Sequence, residues 1–249
     1  MKVNKGDCVF LEETLDEIQS FPKSARCNTR DIEDLRASYT RESCCIGALH
    51  SFRTGSNIAK NTFNPKLDKL QRTLLMLAKL YIPDFRFSSI QINKNFNSSV
   101  LHIDNNIGPS FTLSVGDFTG GQLYVHNKGL LTTKEKLVRF NGQNAHIVLP
   151  YEGKRYSFIY FTNVSFLKLS EEKKEHLKEL GYPIPNDNDL KQYVEESREI
   201  RSIKPKLRLG IAREQMPESV RAIEKAVLPD GMRGSVKSRQ LYKQQKNQI

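Results

Sequence analysis

Between residues 85 and 162 the chain breaks into short runs rich in β-branched and aromatic residues, at 85–92, 99–103, 111–115, 122–126, 136–140, 146–149 and 155–162. Gly, Asn and Asp separate them. A strand of that length cannot bury a face alone, and several in succession with turn signals between them specify a sandwich or barrel. The expected fold class is therefore mainly β with flanking helices. In the 249 residues, 38% are apolar and thirteen are Phe, enough to pack one sizeable core with appendages.

The flanks read differently. Residues 1–84 form a mixed N-terminal support region, in which Cys44-Cys45-Ile46-Gly47-Ala48-Leu49 suggests a strand leading into the core. Asn64-Pro65 opens a helix over 66–82, where Leu67, Leu70, Leu74, Leu77, Ala78 and Tyr81 recur at helical spacing before Pro83 stops it. The β core is expected over 85–169. After Ser170, an N-cap, a charged helix over 171–180 ends at Gly181, and the basic, mostly helical extension 170–249 follows, with a further helical patch over 218–227.

Composition narrows the environment. The longest apolar stretch, 74–82, falls far short of the ~20 residues a membrane span needs, so no membrane association is expected. The first twenty residues lack the apolar block of a signal peptide, and Cys8, Cys27, Cys44 and Cys45 show no C-x-x-C spacing. Both point to an intracellular protein, cytoplasmic or nuclear and not secreted, with reduced thiols. The net charge is +11, and residues 191–249 carry fourteen Lys/Arg against seven Asp/Glu. Such a basic surface suits a polyanionic partner, nucleic acid first.

The chemistry-bearing residues fall inside the strand-rich region. His102 and Asp104 stand two apart, and on extended backbone such residues point to one side. His146 opens a later run. After the turn expected at Pro150-Tyr151-Glu152-Gly153, Arg155 and Ser157 share one strand face with Ile159. Two imidazoles and one carboxylate on one face of a divalent ion leave three positions open, the arrangement of non-haem iron oxygenases. A guanidinium facing a barrel interior is costly to bury unpaired, and a bidentate carboxylate with a neighbouring hydroxyl removes that cost. His126 and His176 stand at a strand end and in a charged helix, outside this pattern.

His102-x-Asp104, then GDFTGGQLYV, then HIVLPYEGKRYSF together resemble the iron(II)/2-oxoglutarate-dependent dioxygenase superfamily, over about a third of the chain. The resemblance implies a double-stranded β-helix (a jelly roll, cupin-like) core. It implies Fe(II) on His102, Asp104 and His146, and 2-oxoglutarate as co-substrate on Arg155, Ser157 and Asn93, with dioxygen completing the reaction. The pattern is loosely similar to TET/JBP-like nucleobase oxygenases, which implies hydroxylation of a C–H bond on DNA or RNA. A prolyl-type protein hydroxylase is the enzymatic alternative. A non-catalytic binding module on a jelly roll, lacking a ligand or the anchor, is the alternative of another class.

Overall fold

The computed structural model describes residues 1–24, 41–51, 55–95 and 101–227. Helix α1 (Lys5–Asp16) precedes strands β1 (Lys23–Ser24), β2 (Arg41–Ser51) and β3 (Gly55–Ile58), then α2 (Asp68–Tyr81). The β region follows as β4 (Ser89–Lys94), β5 (Asn106–Val115), β6 (Phe118–Gly120), β7 (Leu123–Val125), β8 (Gly129–Leu131), β9 (Val138–Phe140), β10 (His146–Val148), β11 (Tyr151–Gly153) and β12 (Tyr156–Asn163). Helices α3 (Glu171–Glu179), α4 (Asp187–Ser202), α5 (Pro205–Gln215) and α6 (Glu218–Val227) complete the described chain.

The major sheet runs β1-β2-β4-β12-β5-β9, with β3 also on β2; β10-β7-β8 and β11-β6 form two smaller sheets. Every pairing is antiparallel. The expected mainly β class with flanking helices is thus present, as open sheets whose hydrogen bonding closes no barrel among the described residues.

Period-2 alternation divides the major sheet into two faces. One face, carrying Ile46, Ile90, Ile92, Leu113, Phe158 and Tyr160, is buried against α1 and α2. The helices meet it with one stripe each: Leu11 and Leu15 from α1, and Leu70, Leu74, Leu77 and Ala78 from α2. The opposite face presents Ser43, Asn93, Ser157 and Ser114, cross-strand neighbours in one row. Beyond that row, Ile159 packs on Leu123, Val125 and Phe140, so the smaller β10-β7-β8 sheet lies over this second face.

Two local expectations change and one is met. The strand expected at 99–103 is not formed over 101–103, where His102 makes a single bridge; residues 99 and 100 lie outside the described residues. The turn expected at 150–153 is instead β11, paired with β6, because the Gly-rich segment ahead of β7 supplies it with a partner. Strand β2, expected as a strand leading into the core, lies inside the major sheet, where its residues 43–47 pair with β4.

The C-terminal extension also covers the core. Tyr193 of α4 sits on Gly108 of β5, where φ is +66° and a Cβ would lie 2.4 Å from the Tyr193 ring. Ala212, Met216 and Val220 of α5 and α6 pack on Leu101, Tyr124, Ile147 and Leu149, the outward residues of β7, β10 and their flanks. The sparse apolar positions of 205–220 thus serve as a lid on a sheet rather than as a second core. The tail 228–249 lies outside the described residues.

Candidate metal centre

Strand β10 starts at His146, which pairs with Val125 of β7. Its alternation sends Ile147 out beneath α5 and α6 and turns His146 inward, where its ring meets Phe140 edge-on with centroids 5.4 Å apart. His102 approaches from the other side, exchanging both backbone hydrogen bonds with His146 at 3.0 and 2.9 Å. Two residues on, the Asp104 amide donates to the Gly142 carbonyl at 2.8 Å. These bonds hold 102–104 against 142–146, and both side chains reach one point without a regular strand.

The outcome is a compact donor cluster. The His102 and His146 ring centroids are 4.1 Å apart. The Asp104 carboxylate bridges them, with Oδ1 3.8 Å from His102 Nε2 and Oδ2 3.5 Å from His146 Nε2. One ligand atom from each residue lies within 4.8 Å of the others. Neighbouring ligands on an ion with bonds near 2.1 Å stand ~3 Å apart, so closure needs the donors to approach one another by up to about 2 Å.

The donor chemistry fits a divalent cation. His146 Nδ1 is 2.8 Å from the Asn144 carbonyl, which can only accept, so Nδ1 carries the proton. In the neutral ring this leaves the lone pair on Nε2, the nitrogen that faces Asp104. His146 is 5% exposed at its side chain, whereas Asp104 is 20% exposed, so the centre is backed by protein and reached from solvent on the Asp104 side.

Arg155 stands just ahead of β12, on the Ser157 face of the major sheet that the smaller sheet covers. It is 4% exposed, and burial pushes its pKa down to about 10, which still leaves it charged at neutral pH. Its Nη2 donates to Ser114 Oγ at 2.8 Å, and Nε has no hydrogen-bond partner among the described residues. The guanidinium carbon lies 5.4 Å from the ring centroids of both Phe118 and Tyr151. Among the described residues no carboxylate pairs with it. Gly121 makes this placement possible, because its backbone adopts φ +65° and a Cβ there would come within 3.1 Å of Arg155 Nε.

Beside Arg155 runs the polar row of the major sheet. Asn93 Nδ2 donates to Ser157 Oγ at 3.3 Å, and Asn93 Oδ1 accepts from Ser43 Oγ at 2.8 Å. The six residues singled out in the sequence therefore fall into two groups: His102, Asp104 and His146 in one cluster, Arg155, Ser157 and Asn93 in another. Ser43, Gln91, Ser114 and the Asn144 carbonyl escape sequence reading. The alternation of Ser110, Thr112 and Ser114 with Phe111 and Leu113 is the signal that marks β5 as having one polar face. Tyr124 packs outward beneath α5 and α6, whereas Thr112 shares the face of Ser114.

No family model and no curated protein matches the sequence. Solved structures are similar in fold. NgTET1 in complex with 5mC DNA matches at 16% identity and a TM-score of 0.42, over 71% of this chain and 77% of that one. An oxidoreductase of the 2OG-Fe(II) oxygenase family from Burkholderia pseudomallei matches at 14% identity and 0.40, over 65% and 92%. A prolyl hydroxylase from Trichoplax adhaerens, in complex with a hypoxia inducible factor peptide fragment, matches at 12% and 0.36, over 67% and 81%. What the site of this chain can do is decided by its own residues.

Proposed function

We propose that the chain is an iron(II)- and 2-oxoglutarate-dependent dioxygenase that hydroxylates a C–H bond. The observation that carries this reading is the pairing of a His102–Asp104–His146 donor cluster beside the smaller sheet with a buried guanidinium on the facing major sheet that has no carboxylate partner among the described residues. His102, Asp104 and His146 would hold the ion and leave three of six positions for a chelating co-substrate and dioxygen. The chemistry supplied by the bound ion is activation of dioxygen for oxidative decarboxylation of 2-oxoglutarate, yielding succinate and carbon dioxide, coupled to substrate hydroxylation.

The protein's own contribution is placement. The Asn144 carbonyl orients the His146 ring, and Phe140 closes its flank against water. Arg155 offers a fixed fork to the distal carboxylate of the co-substrate, and Ser157 a hydroxyl beside it. A buried cation that finds its anion only in the ligand gives strong selection for that ligand.

For the substrate we favour a nucleobase of DNA or RNA, because the net charge of +11 draws polyanions to the surface. Anaerobic reconstitution with Fe(II) followed by 2-oxoglutarate should produce a metal-to-ligand charge-transfer band. Air exposure should then release succinate, stimulated by one of DNA, RNA, peptide or metabolite pools. Peptide stimulation alone would transfer the assignment to a protein hydroxylase. Absence of both band and succinate would remove the enzymatic reading and leave a binding module.

A further inference from the structure

Among the described residues, the side-chain hydrogen bonds that link Gln91, Ser43, Asn93 and Ser157 run in one direction. Gln91 Nε2 donates to Ser43 Oγ at 2.7 Å and reaches Asn93 Oδ1 at 3.2 Å. Ser43 spends its single proton on Asn93 Oδ1 at 2.8 Å. Two donors thus hold the Asn93 carbonyl oxygen, and the amide nitrogen is left to point along the sheet, where it donates to Ser157 Oγ at 3.3 Å. With its oxygen accepting there, Ser157 has a proton to offer a ligand. Ser114 accepts from Arg155 in the same sense.

We propose that Gln91 and Ser43 are positioning residues that hold the Asn93 amide in the orientation leaving only hydrogen-bond donors on the wall beside Arg155, so that the pocket selects a carboxylate over an amide. The inference rests on the reading of Arg155 and Ser157 as the co-substrate anchor. Without Ser43 the Asn93 oxygen loses a partner, and the amide can turn to present its oxygen instead. The turned oxygen takes the Ser157 proton, so Ser157 offers only lone pairs to the ligand: a carboxylate is then repelled, whereas an amide ligand can donate to Ser157. The two residues come from β2 and β4, whose register places Ser43 directly opposite Asn93.

The test compares 2-oxoglutarate with its 5-amide, 2-oxoglutaramate, titrated anaerobically into Fe(II)-loaded protein and followed by the charge-transfer band. Ser43→Ala and Gln91→Leu should each weaken 2-oxoglutarate binding by roughly five- to tenfold, while affinity for the amide stays level or improves. Ser43→Thr, which keeps the hydroxyl, should restore the preference for the acid. In an Asn93→Ala background the Ser43→Ala effect should vanish, because it acts through Asn93. Equal weakening of both ligands, or an undiminished effect without Asn93, would assign Ser43 and Gln91 a packing role and overturn the proposal. Failure of the unmodified protein to bind 2-oxoglutarate at all, with Fe(II) bound, would overturn the anchor reading itself.

Discussion

Arg155 is the residue on which stability and binding make opposite demands. A buried cation without a carboxylate destabilises the free protein, and hydrophobic replacement of buried charge is often neutral or stabilising. Arg155→Met is therefore expected to melt no lower than the parent without ligand, yet to lose the rise in melting temperature that 2-oxoglutarate confers on the parent. Arg155→Ala should weaken 2-oxoglutarate binding by ~3 to 5 kcal/mol, the scale of breaking a buried charged pair, with Fe(II) affinity changed far less. His102→Ala should abolish stoichiometric Fe(II) binding by calorimetry; full retention would remove His102 from the centre. A different residue governs acid stability. At Asp16, burial works to raise the pKa, but hydrogen bonds from Lys154 and Tyr156 outweigh it and hold the carboxyl below its ordinary 3.8. Its stabilisation is present above that value and lost as pH falls through the folded pKa. The melting difference between the parent and Asp16→Asn should hold at neutral pH and shrink below about pH 4. The donor cluster was legible from residue types and order; the strand expected to turn His102 and Asp104 to one side is not formed, and backbone bonds to residues 146 and 142 hold them instead. Ser43 was not legible, since an isolated serine carries no such signal, and Ser114 shows only as one member of the alternation along β5.

Elements give the site its shape. β12 is the central piece, flanked by β4 and β5, and its inner face carries Ser157 and Ile159 in line with Arg155 just ahead of it. The glycine pair before β7 explains why the β6-to-β7 connection passes so close to that guanidinium. Gly121→Ala should weaken 2-oxoglutarate binding more than it lowers the melting temperature, because the added carbon meets the Arg155 side chain and φ is positive. Helices α5 and α6 act as a cover on the outer side of the sheet bearing His146. Met216 is 2% exposed, so Met216→Ala should cost about 2 to 4 kcal/mol of stability in denaturant unfolding. No change would show that the cover is dispensable. Of the elements, the strands and the α2 stripe could be read from periodicity. β6, β8 and β11 are three-residue strands that each include a glycine, a turn signal that hides so short a strand.

At the scale of the whole molecule, charge and architecture separate. Basic side chains in the described part of the extension are partly consumed by structure: Arg201 donates to Gln143 and the Asn106 carbonyl, and Arg208 to the Gln143 carbonyl. Among the described residues no helix is long and apolar enough to cross a membrane. Two truncations should therefore behave differently. Ending the chain after residue 227 removes five Lys/Arg and one Asp, and should leave folding intact while lowering nucleic acid affinity. With ~4 phosphate contacts in the parent, log affinity should fall with log salt at a slope near −3 to −4, flattening in the truncated form. An identical slope would clear the tail of any such contact. Ending the chain at residue 203 should instead destabilise the protein, because it uncovers Leu101, Tyr124 and Ile147.

Sequence alone determined the donor types, their order and the alternation that puts Arg155, Ser157 and Ile159 on one face, because these depend on local residues on a backbone of known repeat. Tertiary structure decided the rest. It brought His102 back to His146 across 44 residues, set Ser43 opposite Asn93, and laid residues 205–220 over the outer face of β7 and β10. Such pairings are set by register between distant strands and by the burial of scattered apolar residues. Neither leaves a local pattern, since each partner is ordinary until the other is beside it.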